Sequence, residues 1–200
     1  KVRLGMYAMF REGSAWHDLA EVAKSITQHA VDTRFAVLVS DDTHPHTLLS
    51  QGHLDHIVRR AVEEGIDVLT AIQMVTINCA QCFQMDHELG SIAPGKCADM
   101  VLLDNLTDLN VQKVFIDGEL AAENGAVTQA YTPYTYPEWA THSIHVGETI
   151  TPATFAIPAS ADQATVRAIE VIPARVGDYE RHVILKAKDG RLESDVQQDV

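Results

Sequence analysis

The spacing of apolar positions changes character along the chain. Leu4 to Phe10 is a short apolar run and predicts a strand. Arg11-Glu12-Gly13-Ser14 follows as a loop, with Ser14 placed to cap a helix. Trp16, Leu19, Ala20, Ala23 and Ile26 then recur at helical spacing. Residues 35–40 form a second strand, in which Ala36-Val-Leu-Val39 is apolar without interruption, the pattern of a buried parallel strand. A helix is predicted from His46 to Glu64, with Leu48, Leu49, Ile57, Val58, Ala61 and Val62 on its apolar side and Gly65 ending it. Asp67 can cap a third helix over 68–83, with Leu69, Ile72, Val75, Thr76 and Cys79 facing inward. The order β-α-β-α-α implies a parallel sheet. Two βα units cannot close a barrel or cover both faces of such a sheet.

After Gln84 the pattern changes. Gly90-Ser-Ile-Ala-Pro94-Gly95 reads as a turn, Asp99–Leu103 and Lys113–Ile116 as short strands, and Asp117-Gly118 as a hairpin signal. Residues 128–142 carry Tyr131, Tyr134, Tyr136 and Trp139 without a clear period and predict a loop; packing or an interface suits these aromatic rings better than ligand binding. Residues 143–200 alternate, as in Val166–Ile172 and His182–Ala187, and predict all-β material. The fold class is α/β plus β, in three segments, 1–84, 85–127 and 128–200.

Composition narrows the partners. Fifteen basic against 28 acidic residues give a net charge of −13, which argues against nucleic acid or an anionic membrane. No apolar run is long enough to span a bilayer. Three cysteines, Cys79, Cys82 and Cys97, without a secretory signal point to a reducing cytoplasm. Cys79-Ala-Gln-Cys82 has CxxC form, but it sits in a helical pattern with no second pair. The chain starts at Lys1 without an initiator Met or targeting character, which suggests an interior piece of a longer polypeptide.

The chemistry gathers where the second strand stops. Asp41, Asp42, His44 and His46 follow Ser40, and Pro45 prevents the strand from continuing. In α/β barrels the carboxyl ends of strands carry the chemistry. Carboxylate and imidazole together suit Zn²⁺, Mn²⁺ or Fe²⁺. A polar loop whose Asp caps the next helix is the plainer alternative.

Several segments are similar to a known family. Leu69 through Asn78, followed by Leu89-Gly90-Ser91-Ile92-Ala93-Pro94-Gly95-Lys96-Cys97-Ala98-Asp99, resembles the exit from the barrel in the amidohydrolase superfamily. Arg11-Glu12-Gly13-Ser14, Ser40-Asp41-Asp42-Thr43-His44-Pro45 and Gly52-His53-Leu54-Asp55-His56 resemble, within it, the adenine deaminases, and Arg167 to Pro173 resembles their C-terminal region. The resemblance implies that 1–84 ends a metal-dependent-hydrolase TIM barrel, with Leu4–Phe10 as strand seven and Phe35–Ser40 as strand eight. It implies that 85–127 returns to a composite β-sandwich and that 128–200 is an incomplete β-rich C-terminal domain.

It also implies a reaction, the hydrolysis of adenine to hypoxanthine and ammonia in purine salvage. Asp41 matches the aspartate that binds metal and shuttles protons. Glu12, Arg11, Asp42 and His44 are the candidate substrate contacts, and Ser14 only a cap. The alternatives are an ion-pair partner for Arg11 and a helix-start acid for Glu12. The implied cofactor is a divalent metal, Mn²⁺ or Fe²⁺, with Zn²⁺ open because its ligand types overlap. The remaining ligands lie upstream of this chain, since His44-Pro45-His46 follows strand eight and is not the strand-one His-x-His pair. The expected partners are adenine or a related aminopurine, the N-terminal part of the same enzyme, and further copies in a homo-oligomer. Two rivals remain: a cyclic-amide hydrolase of dihydroorotase or hydantoinase type, which Arg11-Glu12-Gly13-Ser14 disfavours, and a noncatalytic β-rich assembly module.

Overall fold

The computed structural model describes residues 1–130, 132–172 and 177–198, in two compact units divided after position 131. The expectations for Tyr131 and Pro173 lie outside the described residues.

The first unit begins with a parallel pair. Strand β1 (Ala8–Arg11) runs beside β2 (Ala36–Val39), with Phe10 opposite Leu38 and Arg11 opposite Val39. Helix α1 (Leu19–Thr27) makes the crossover. Side chains alternate along a strand, so Phe10, Ala36 and Leu38 share the face that packs on helices. They join Leu19, Ala23, Ile57, Val58, Ala61, Ala71 and Met74 in one buried core. Met9, Arg11, Val37 and Val39 stand on the opposite face, where Met9 is largely exposed.

The expected helix 46–64 is two helices, α2 (Pro45–Ser50) and α3 (Leu54–Glu63). The break falls at Gly52, which has φ +105°. A Cβ there would stand 2.6 Å from Asp55 Oδ2, so the chain needs glycine to turn past the Asp55 carboxylate. Leu48 and Leu49, expected on the apolar side, are exposed because α2 is too short to lie on the core. The expected helix 68–83 is likewise α4 (Val68–Val75) and α5 (Ile77–Cys82), separated at Thr76. Asp67 caps α4 as expected, accepting from Thr70 N at 3.0 Å. Ala71 and Met74 are the buried positions, and Leu69 is exposed, because the packed stripe lies beside the one read from spacing.

Asn78 on α5 is one of two buried polar residues among those described. Its Nδ2 donates to Thr33 O at 2.8 Å and Ala36 O at 2.9 Å, tying the last helix to the entrance of β2. Beyond it an antiparallel sheet runs β3 (Met100–Leu103), β4 (Val111–Ile116), β5 (Glu119–Glu123) and β6 (Ala126–Val127). Asp117 and Gly118 turn β4 into β5 with φ of +51° and +81°, the tight hairpin that their sequence signals. Helices α3–α5 and strands β3 and β4 line an apolar cavity of about 1020 Å³, with Val58, Ile72, Val75, Met100 and Val114 on its walls.

The second unit holds a short helix α6 (Glu138–Thr141), inside the segment expected to be loop, and an antiparallel sheet of β7 (Gln163–Glu170), β8 (Tyr179–Lys188) and β9 (Arg191–Leu192). Val183 and Leu185 are its buried residues among those described. Among the described residues, the all-β expectation for 143–200 holds only from Gln163 onward. Residues 143–162 contain a 3-10 turn, Pro152–Phe155, and a single bridge from Pro158 to Arg191. Among the described residues no helix is long and apolar enough to cross a membrane.

Candidate active site

Both strands of the parallel pair end in polar loops that interlock. Glu12 N donates to Val39 O at 3.1 Å, so the ladder continues one residue past β1. Ser14 N then donates to Asp42 O at 2.8 Å, and Ala15 N to Asp42 Oδ2 at 2.7 Å. Ser14 does not cap α1, as its position in the sequence suggests, because that helix starts only at Leu19. Its hydroxyl instead donates to Thr47 Oγ1 at 2.9 Å and accepts from His44 N at 2.9 Å, holding the second loop to the first. Gly13 is buried against Asp42. A Cβ there would overlap Asp42 Oδ1 and stand 2.8 Å from its Cγ.

Asp41 has left the strand. Its φ of +55° is left-handed, a region that aspartate tolerates better than most side chains. The turn leaves its side chain 53% exposed, with Oδ2 accepting from Arg11 Nη1 at 2.9 Å. Arg11 is only 13% exposed, with Nη2 donating to Asp18 Oδ2 at 2.5 Å and its guanidinium 5.2 Å over the Trp16 ring.

Glu12 follows the opposite alternation, on the side of Phe10, and its side chain is 5% exposed. Its Oε1 accepts from His17 Nδ1 at 3.1 Å and lies 3.6 Å from Arg60 Nε on α3. Arg60 also pairs with Glu63 and Glu64, and the Glu63 hydrogen bond foremost raises the guanidinium's pKa. His44 is the exposed N-terminal flank of α2 and makes no side-chain cap. His46 is exposed. His53 flanks α3, with Nε2 3.0 Å from Ser40 Oγ and its backbone N donating to Asp55 Oδ1 at 2.8 Å. Burial, then the nearby Arg59, lowers the His56 pKa and keeps that ring neutral near pH 7.

The structure thus brings Arg11, Asp41 and Asp42 together at one strand end. It sets Glu12 just beneath, turned towards the helices, and leaves His44 at the rim. Asp18, Trp16 and His17 complete the arrangement without having been expected. Asp18 appears in the sequence only as another helix-start acid. Four buried side-chain atoms lack a hydrogen-bond partner among the described residues: Arg11 Nε, Glu12 Oε2, Asp42 Oδ1 and Thr43 Oγ1. All lie in these two loops or, for Arg11, at the end of β1 that leads into the first. Buried polar atoms are nearly always paired, so such a concentration marks a place built to meet further groups.

A divalent metal needs several oxygen or nitrogen donors. Among the described residues no cluster of three or more His, Cys, Asp or Glu could hold one. Asp41 fits as a single ligand: its carboxylate is exposed, and Arg11 engages Oδ2 only.

Comparison with known proteins agrees with the setting. Residues 25–121 match the amidohydrolase family model. An adenine deaminase of Clostridium botulinum strain 657 is 64% identical over this whole chain, and one of Moorella thermoacetica is 46% identical over the same extent. The chain spans 34% of the length of each. A crystal structure of a β-aspartyl dipeptidase from Fervidobacterium islandicum aligns with TM-score 0.51 over 66% of this chain and 35% of that one, at 17% identity, a likeness of fold alone. From end to end the chain is similar to adenine deaminases, and its residues 25–121 match the amidohydrolase family.

Proposed function

We propose that this chain is part of a metal-dependent adenine deaminase that hydrolyses adenine to hypoxanthine and ammonia. In this reading β1 and β2 are the seventh and eighth strands of a TIM barrel, residues 85–127 return to a β-sandwich, and 128–200 begin a C-terminal domain. The observation that carries the reading is the state of Asp41: a half-exposed carboxylate at the carboxyl end of a parallel strand, with one oxygen tied to Arg11. The high identity to adenine deaminases supplies the substrate.

Asp41 would serve as one ligand of an Mn²⁺, Fe²⁺ or Zn²⁺ ion whose other ligands come from a longer polypeptide. Bound there, the ion would lower the pKa of water towards about 7. Asp41 takes the proton from the attacking water and gives it to the leaving amino nitrogen. Asp42 holds the first loop through Ala15 N, with its Oδ1 buried against Gly13, and His44 at the rim is the group open to the purine. Glu12 and Arg11, expected as purine contacts, are engaged by His17 and Arg60 and by Asp18 and Asp41 respectively. In this reading they shape the loops that face the substrate.

The test is ammonia release from adenine by the metal-loaded full-length enzyme, compared with hydrolysis of dihydroorotate and hydantoin. Turnover of adenine alone supports the reading. Turnover of a cyclic amide without adenine activity assigns the site to the other hydrolase class.

A further inference from the structure

Arg11 is a tightly constrained charged side chain at the two loops. It leaves β1 on the face away from the helices and is mostly enclosed. Each terminal nitrogen meets a different carboxylate: Nη2 to Asp18 Oδ2 at 2.5 Å, Nη1 to Asp41 Oδ2 at 2.9 Å. Trp16 covers its plane. Asp18 precedes α1 in the N-cap position, yet makes no side-chain cap. A residue suited to capping thus gives its carboxylate to Arg11 instead.

A guanidinium is a rigid planar fork. Once Asp18 and Trp16 fix its plane, the direction of Nη1 is fixed too. Asp41 needs such a fixture, since it stands in a left-handed turn, half in solvent, outside the strand ladder. Arg11 engages Oδ2 only, in a side chain that is half open to solvent.

We propose that Arg11, clamped by Asp18 and Trp16, is a positioning residue that sets the orientation of the Asp41 carboxylate and determines which of its oxygens is free to react. This rests on the assignment of Asp41 above. It makes Arg11 a partner of the reactive carboxylate rather than a contact of the purine. Lysine cannot replace it, because one ammonium on a flexible stem cannot hold two carboxylates in a common plane.

The experiment uses the full-length enzyme with Arg11→Gln, Arg11→Lys, Asp18→Asn and the Arg11→Gln/Asp18→Asn pair. Partners that orient a metal ligand typically contribute about 10- to 100-fold in affinity or activity. Arg11→Gln is expected to lower kcat by about that factor while KM for adenine stays within about threefold, and Arg11→Lys to recover little. Mn²⁺ affinity of the metal-free protein, measured by chelator competition, is expected to weaken by about tenfold. Asp18→Asn is expected to shift both readouts in the same direction by less, and the double variant to be no worse than Arg11→Gln alone, since Asp18 acts only through Arg11. A raised KM with unchanged kcat would make Arg11 a substrate contact and overturn the proposal. So would additive losses in the double variant, or unchanged kcat and Mn²⁺ affinity. If Arg11→Gln does not fold, Asp18→Asn carries the test with the same readouts. Should wild-type enzyme fail to deaminate adenine, the functional reading falls. The Mn²⁺ competition still decides the role of Arg11, because it asks only how Asp41 is held.

Discussion

Replacing Gly13 with alanine should loosen the interlocked loops. Gly13 does not adopt a left-handed φ, so alanine brings no backbone strain there. The damage is steric: a Cβ would stand 2.8 Å from Asp42 Cγ and 2.9 Å from Asp42 O. The Asp42 carboxylate is half-buried and cannot swing out without losing the 2.7 Å bond from Ala15 N, a hydrogen bond to a charged group of about 1.5–3 kcal/mol. The neighbouring Ser14 N to Asp42 O bond, 2.8 Å long, adds about 0.5–1.5 kcal/mol if it opens as well. A local loss of about 2–4 kcal/mol corresponds to roughly 30- to several-hundred-fold faster amide exchange. Hydrogen exchange of the peptide containing Ala15 reads this directly in the full-length protein. Gly147→Ala, where a Cβ meets nothing within 4 Å, is the control and should change nothing. If Gly13→Ala exchanges at the wild-type rate and keeps full activity, the interlocking of the two loops does not matter as argued.

Three further outcomes follow from the geometry. Asn78→Ala leaves the carbonyls of Thr33 and Ala36 without their donor and should destabilise the first unit by about 2–4 kcal/mol, read as a lowered thermal midpoint; a midpoint within a degree of wild type would contradict it. His56 has a folded pKa below its ordinary value of 6.5, so the unfolded chain binds more protons below that pH. Stability should therefore fall as pH drops from about 6.5, and His56→Gln should flatten that slope in thermal melts between about pH 5 and 7. The 200-residue chain expressed alone leaves Met9, Ile92, Val101 and Leu102 exposed and should bind a hydrophobic dye strongly or self-associate; a dye-silent monomer would contradict the reading as part of a barrel.

The parallel β1–β2 pair was legible because an unbroken apolar run has few other uses, and Asp67 and Asp117-Gly118 signalled their cap and hairpin by residue type alone. The break at Gly52 had its signal, a glycine inside a helical pattern, but the cause is the Asp55 carboxylate three residues on, which spacing does not reveal. The break at Thr76 had less to announce it: its hydroxyl donates to Ile72 O at 2.7 Å within the helix, and α5 is redirected by the bonds of Asn78 to the distant Thr33 and Ala36. At the site, the place of Asp41 at the end of a parallel strand was legible from the apolar run before it. The roles of Arg11, Glu12 and Ser14 were not. They depend on partners 30 or more residues away, as in Arg11 with Asp41 and Ser14 with Thr47, or on which way a side chain alternates at a strand end.

The central claim is that Asp41 moves the proton in adenine hydrolysis. The measurement that tests it most directly is kcat for adenine in metal-loaded full-length Asp41→Asn and Asp42→Asn proteins, each checked for folding. An asparagine at 42 can still accept from Ala15 N, so that change should cost little. Asparagine at 41 keeps the shape and removes the basicity, and kcat should fall by about a hundredfold or more. Equal losses at both positions, or an undiminished kcat in Asp41→Asn, would contradict the account.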